Sequence, residues 1–158
     1  MTTLPLARVD LEAAVKRGER FSYLCFWGHR KRADGRLVET CFSQWYPTAF
    51  EVAGVRYATA EHYMMAGKAR LFGDEAALER ILRATSPAAA KKLGRTVQGF
   101  DERRWNEQRF ELVVAGNAAK FGQHEDLRAF LLATGKRILV EASPVDRIWG
   151  IGLARDDP

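Results

Sequence analysis

Between Thr59 and Gly122 the sequence writes four helix starts in succession, and no other feature narrows the fold as far. Thr59, Asp74, Ser86 and Asp101 each stand just before a segment of helical pattern. Each carries a short side-chain oxygen that can accept a hydrogen bond from the open amides of a first turn. Pro87 follows Ser86, where a fixed φ favours the first helical position. Gly73 stands beyond the first segment, suited to the left-handed turn that ends a helix. Ala77, Leu78, Ile81 and Leu82 form an apolar stripe on the second segment. In the longest, from Asp101 to Gly122, Phe110, Val113, Val114, Asn117 and Phe121 recur every three or four residues, which predicts an inward face. A further helix is expected from Glu125 to Thr134, packing Leu127, Phe130 and Leu131 before Gly135 ends it.

The two ends of the chain read differently. Residues 21–27, FSYLCFW, and 137–142, RILVEA, have the aromatic and branched content of strands. Two short runs around Gly54, Phe50–Val52 and Val55–Tyr57, predict a hairpin leading into the helix capped by Thr59. Near the N-terminus, Asp10 is the expected cap of a helix of one or two turns that Gly18 stops. Strands at both ends enclosing four or five helices, without repeated βαβ units, predict an α+β fold. It is expected to be one compact, mostly helical domain with a small sheet formed by short N-terminal strands and a C-terminal strand. With 158 residues, one core is the size expectation, with residues 1–20 as an extension carrying a short helix and 21–153 as the domain.

Charge bears on partners. The formal net charge is +5 and the isoelectric point about 9.5, which favours encounter with phosphate. Basic and acidic residues are interspersed, so no single-sign tail for nucleic acid is present. Cys25 and Cys41 are expected as buried thiols, and with three scattered histidines they lack the spacing of a zinc site. No run of about 18 apolar residues and no signal-like N-terminus is seen, so a reducing cytoplasmic setting without a membrane partner is expected. The glycine motifs of phosphate loops and dinucleotide folds are absent, and no cofactor or metal is expected.

The segment from Tyr57 to Phe72, YATAEHYMMAGKARLF, concentrates reactive side chains. Helical geometry turns Glu61 and Lys68, seven positions apart, to within about 20° of one another around the axis. A partly buried carboxylate can be tuned for acid or base work, and a desolvated amine for nucleophilic attack. The alternative is a surface glutamate and an unrelated lysine. His62 lies in the same first turn, and Tyr57 and Tyr63 flank the shared face.

Other segments supply candidate walls and anion contacts. In TCFSQWYPTAF, Pro47 biases Tyr46 toward extended backbone, so Trp45 and Tyr46 are expected on a loop or strand end, lining a pocket or closing over the core. Trp105 and Arg109 lie four apart and can stack on and hydrogen-bond a ligand together, or simply pack. The loop holding His29, Arg30, Lys31 and Arg32, and the helix holding Lys91, Lys92 and Arg95, offer phosphate contacts or solvated charge. At the C-terminus, SPVDRIWGIGL is turn-rich yet apolar. It must be tucked against something, with Asp146 fixing backbone amides or a ligand hydroxyl.

Four segments occur together: FSQWYP at 42–47, AEHYMMAGKA at 60–69, the SP to AKKLGR stretch at 86–95, and LVEASPVDRIWGIG at 139–152. In order and spacing they resemble the NADAR family of YbiA-like proteins, over residues 21–153. The resemblance implies a compact α+β fold and hydrolysis of N-glycosidic bonds to ribose. Substrates in the family are phosphorylated pyrimidine intermediates of riboflavin synthesis in one branch and ADP-ribosylated guanine in nucleic acid in another. It gives the catalytic glutamate to Glu61 and a Schiff-base lysine to Lys68. The pocket aromatics become Trp45, Tyr46 and Trp105, and the C-terminal polar turn Asp146 and Trp149; His62, Tyr63 and Arg109 complete the expected substrate contacts. Gln44 stands where many relatives carry asparagine. A small ribosyl phosphate or an ADP-ribosylated nucleic acid is therefore the expected partner, and a module that binds ADP-ribose or NAD without hydrolysis is the alternative.

Overall fold

The structure is a computed structural model that describes residues 4, 5 and 7–154, so residues 1–3 and 6 of the expected extension lie outside it. In chain order the elements are α1 (Arg8–Lys16), β1 (Tyr23–Phe26), a 3-10 helix (Glu39–Phe42), β2 (Phe50–Val52), β3 (Val55–Tyr57), α2 (Ala60–Leu71), α3 (Glu75–Leu82), α4 (Pro87–Gly94), α5 (Glu102–Gln123), α6 (Glu125–Leu132) and β4 (Ile138–Glu141). The fold is mixed α and β, mostly helical with small sheets. It divides into two compact units: residues 1–27 with 131–158, and residues 28–130.

In the first unit β1 and β4 pair in parallel, Tyr23 opposite Ile138 through Phe26 opposite Glu141. The pair joins the two ends of the sequence. Ala14 of α1 and Leu24 of β1 are buried here, and Cys25 is half-buried rather than enclosed. Helix α1 begins earlier than Asp10 predicts. Ala7 occupies the cap position without a side-chain bond, and Asp10 lies inside the first turn, where its charge favours the positive helix end. Beyond β4 the chain turns around Asp146, whose Oδ1 accepts from the amides of Ile148 and Trp149 at 2.9 Å each. The Asp146 amide donates to Ser143 Oγ, and the Asp146 carbonyl accepts from Gly152. Gly150 is required there, because a Cβ would come within 2.8 Å of the Asp146 carbonyl oxygen. Of its two expected tasks, the carboxylate demonstrably performs the fixing of amides.

The second unit is built around α2. Helices α3, α4 and α5 all pack on it, and from Ala60 to Ala69 only Tyr63 and Lys68 escape burial. Small residues permit this. Ala66 and Ala69 are fully enclosed, a Cβ on Gly67 would sit 2.8 Å from Leu112 of α5, and one on Gly94 of α4 would collide with Met65. The four caps are where the sequence predicts them: the side chains of Thr59, Asp74, Ser86 and Asp101 accept from the amides of His62, Ala77, Ala89 and Arg104. Strands β2 and β3 form the expected antiparallel hairpin, Phe50 opposite Tyr57. On α5 the inward pattern is only partly right. Phe121 is buried, but Phe110 is 60% and Val114 47% exposed, because α5 turns Leu112, Gly116 and Lys120 toward its neighbours instead.

Candidate active site

The site is assembled where the segment 41–46 meets the start of α2. Thr59 is extended, at φ −150° and ψ 168°, which frees its hydroxyl to cap the helix. The hydroxyl lies 2.8 Å from His62 Nδ1 and accepts from the His62 amide at 3.4 Å, while His62 Nε2 is 3.1 Å from the Ala84 carbonyl oxygen. A carbonyl only accepts, so Nε2 carries a proton, and in the neutral ring Nδ1 accepts from the Thr59 hydroxyl. Burial favours that neutral form, holding the pKa below the usual imidazole value against the opposing pull of the Ala84 bond. With 1% exposure, His62 spends both nitrogens within the protein and joins the first turn of α2 to the end of α3.

This arrangement has a pH consequence. The unfolded chain takes up a proton below about pH 6.5 while the folded ring resists it, so folding stability falls as acid is added through that range. His62→Gln removes the titration. Melting temperatures of the variant are expected to fall less steeply than the parent's between pH 6.5 and 5, and equal slopes would show that His62 is not the group responsible.

Glu61 follows Thr59 by two residues and is only 2% exposed. Its amide donates to the Gln44 carbonyl oxygen at 3.0 Å, which ties the FSQWYP segment directly to the residue with the buried carboxylate. Glu61 has a further interaction within the chain, and its Oε1 is enclosed and accepts no hydrogen bond among the described residues. The Gln44 side chain is spent on α5: Nε2 donates to Asn117 Oδ1 at 3.0 Å, and Asn117 Nδ2 donates back at 3.3 Å. Next to it Trp45 is half-buried, with the His29 ring edge-on at 5.4 Å and Lys91 Nζ 5.7 Å from its centroid. Tyr46 is not presented to solvent. It is 5% exposed, lies under Lys31 and Lys120, and burial raises the pKa of its phenol.

Lys68 lies two turns further along the same face of α2, a rise of about 10 Å from Glu61 along the axis. Its Nζ is 4.1 Å from the ring centroid of Phe100 and 5.5 Å from that of Trp105. Burial pulls the amine's pKa below the ordinary lysine value. Phe100 in turn meets Phe72 edge-on at 5.4 Å. The sequence reading passed over Phe100. The available signal is its place immediately before the Asp101 cap, with Trp105 at the fourth helical position, the pair of positions that forms a hydrophobic staple.

The remaining candidates fall on several elements. Tyr63 packs against Phe50 and Tyr57 at 5.9 and 5.0 Å and abuts Gly116 of α5. Arg109 is half-buried on α5, while Lys92 and Arg95 are exposed; of the basic residues on α4 it is Lys91 that reaches an aromatic of the site. Asp146 and Trp149 belong to the C-terminal turn of the first unit. The larger omission is Lys120, an interior lysine on α5 that donates to the carbonyls of Cys41 and Ser43 at 2.6 and 2.9 Å. Among the described residues no three His, Cys, Asp or Glu side chains gather as a metal site. Nor is any described helix long and apolar enough to cross a membrane.

Both the sequence and the fold of the chain are similar to those of known proteins. Residues 25–158 match the NADAR domain model. The chain is 42% identical over 140 residues to an N-glycosidase of Acanthamoeba polyphaga mimivirus, covering 85% of this chain and 81% of that one. It is 37% identical over 111 residues to the N-glycosidase YbiA of Escherichia coli, covering 70% and 68%. The NMR structure of E. coli YbiA matches with a TM-score of 0.66 and 31% identity, over 83% of this chain and 74% of that one. By sequence and by fold alike, the chain belongs to the NADAR family.

Proposed function

We propose that this protein is a hydrolase acting on N-glycosyl compounds, cleaving the bond between a base and a phosphorylated ribose or ADP-ribose, with Glu61 and Lys68 as its catalytic residues. The observation that carries this reading is the pairing of a buried Glu61 with a half-buried Lys68 on one face of α2. The names of its relatives, N-glycosidases, agree with it.

Breaking an N-glycosidic bond spreads positive charge over C1 and the ring oxygen of ribose, which a carboxylate fixed nearby stabilises. Lys68 adds a second device. In its neutral form the amine attacks C1, the bond from C1 to the base nitrogen breaks, and the departing base takes a proton from Glu61. Glu61, now a carboxylate, takes a proton from the bound lysine nitrogen; the lone pair so freed opens the bond from C1 to the ring oxygen, which takes up that proton from Glu61, leaving a protonated imine on an open-chain sugar. Water adds to the imine with Glu61 as base and releases the sugar and the amine. Trp45 and Trp105 supply flat surfaces for the base, and Lys91 stands near Trp45 for the phosphate.

The test is product analysis by chromatography and mass spectrometry. The protein is incubated in parallel with an oligonucleotide carrying ADP-ribosylated guanine and with a ribosylamino-pyrimidine phosphate. Release of ADP-ribose from the first or of ribose 5-phosphate from the second is the expected result, and it identifies the substrate class. Binding of ADP-ribose with no release from either would replace the reading with that of a binding module.

A further inference from the structure

Toward the end of α5 runs a row of polar side chains whose hydrogen-bond partners outside the helix lie in the segment 41–51. Asn117 pairs with the Gln44 amide, and Lys120 Nζ donates to the Cys41 and Ser43 carbonyls. One helical turn on, Gln123 accepts from the Glu51 amide at 2.9 Å and donates to its carbonyl at 2.6 Å, and His124 Nε2 meets the Ala49 carbonyl at 2.7 Å. The spacing of three and three keeps Asn117, Lys120 and Gln123 on one side of α5, and His124, extended at its C-cap, follows directly. Lys120 is the fully buried rung, at 0% exposure, and its Nζ also lies 4.9 Å from the Phe121 ring centroid and 5.5 Å from that of Tyr46.

Burying an ammonium is costly, and a methionine of similar length would fill the space without that cost. What the amine contributes is direction. It draws together two carbonyls that bracket Phe42, and the residues immediately after them perform the contacts of the site. The Ser43 hydroxyl accepts from the Trp45 amide at 3.1 Å, and the Gln44 carbonyl receives the Glu61 amide. Helix α2 is held on several sides by α3, α4 and α5, whereas the backbone of Trp45 is held through this segment, its ring meeting His29 and Lys91.

We propose that Lys120 is a positioning residue that sets the place of Trp45 for substrate binding, acting through the backbone of residues 41–45; this rests on the glycosidase reading above. Burial also draws the amine's pKa down to about 8, and its two carbonyl acceptors are satisfied whether it carries two protons or three.

Lys120→Met removes the donors and keeps the stem. Assayed well below its melting temperature, the variant is expected to show KM raised about tenfold and kcat changed less than threefold, the signature of lost binding rather than lost chemistry. Amide exchange at Trp45 and Tyr46 is expected to rise at least tenfold. Gln123→Leu cuts the rung to Glu51, outside residues 41–45, and serves as the comparison, losing stability with KM unchanged. An unchanged KM in folded Lys120→Met, or an equal rise in both variants, overturns the proposal. If Lys120→Met does not fold, Asn117→Leu takes its place, with KM expected to rise severalfold. Should the wild-type protein turn over neither substrate, the glycosidase reading fails separately, and Kd for ADP-ribose replaces KM. Without a measurable Kd, exchange at Trp45 and Tyr46 decides, and unchanged exchange overturns the proposal.

Discussion

Glu61→Gln is expected to lower turnover by about a thousandfold, within the range that a positioned acid or base contributes, and to leave the fold intact. The amide has the shape of the carboxylate but neither its charge nor its ability to give up and recover a proton. The stability effect runs the other way. Glu61 is 2% exposed and its helix neighbours Met64, Met65 and Ala60 are buried, and glutamine keeps its volume and shape, so the packing around position 61 is conserved. The melting temperature should hold or rise, as is common when a reactive group is removed from a site. Turnover within tenfold of the parent would remove Glu61 from the mechanism. A large fall in melting temperature would assign it instead to holding the first turn of α2.

The sequence was informative wherever the determining interaction is local. A helix cap is a matter of three residues, so Thr59, Asp74, Ser86 and Asp101 could each be identified from their own neighbourhood, and the shared face of Glu61 and Lys68 follows from helical geometry alone. The hairpin around Gly54 was legible for the same reason. Local reasoning failed at the start of α1, where no side chain caps Ala7. It failed also on α5, where an apolar residue at the right period can still face water if the helix turns a different face to its neighbours. Phe110 and Val114 are such residues.

Lys120 was missed for a related reason. A lysine in a helical pattern ordinarily marks the solvent side, and only the distant carbonyls of Cys41 and Ser43, 79 and 77 positions away, make the interior hospitable to it. The same distance hides the Gln44 to Asn117 pair and the parallel pairing of β1 with β4. The sequence motif FSQWYP could be recognised, but its relation to Glu61 could not, because the hydrogen bond joining them runs through a backbone carbonyl that any residue at position 44 would supply.

Lys68→Arg separates the two roles open to the second catalytic residue. Arginine keeps the positive charge and can lie on the Phe100 and Trp105 rings as the lysine does, but it stays protonated and cannot attack carbon. If Lys68 forms the imine, kcat is expected to fall by about a thousandfold or more, and borohydride added during turnover should fix sugar to the parent protein at Lys68 and none to the variant. The pH profile gives an independent reading. Only the neutral amine is a nucleophile, so kcat/KM should fall tenfold per unit as pH drops below the amine's pKa and level off above it. Because burial lowers that pKa from the ordinary lysine value, the plateau should begin at a lower pH than a solvent-exposed lysine would give. Were Lys68 needed only as a charge, Lys68→Arg would retain turnover within about tenfold, no adduct would form, and the mechanism would reduce to water activated by Glu61.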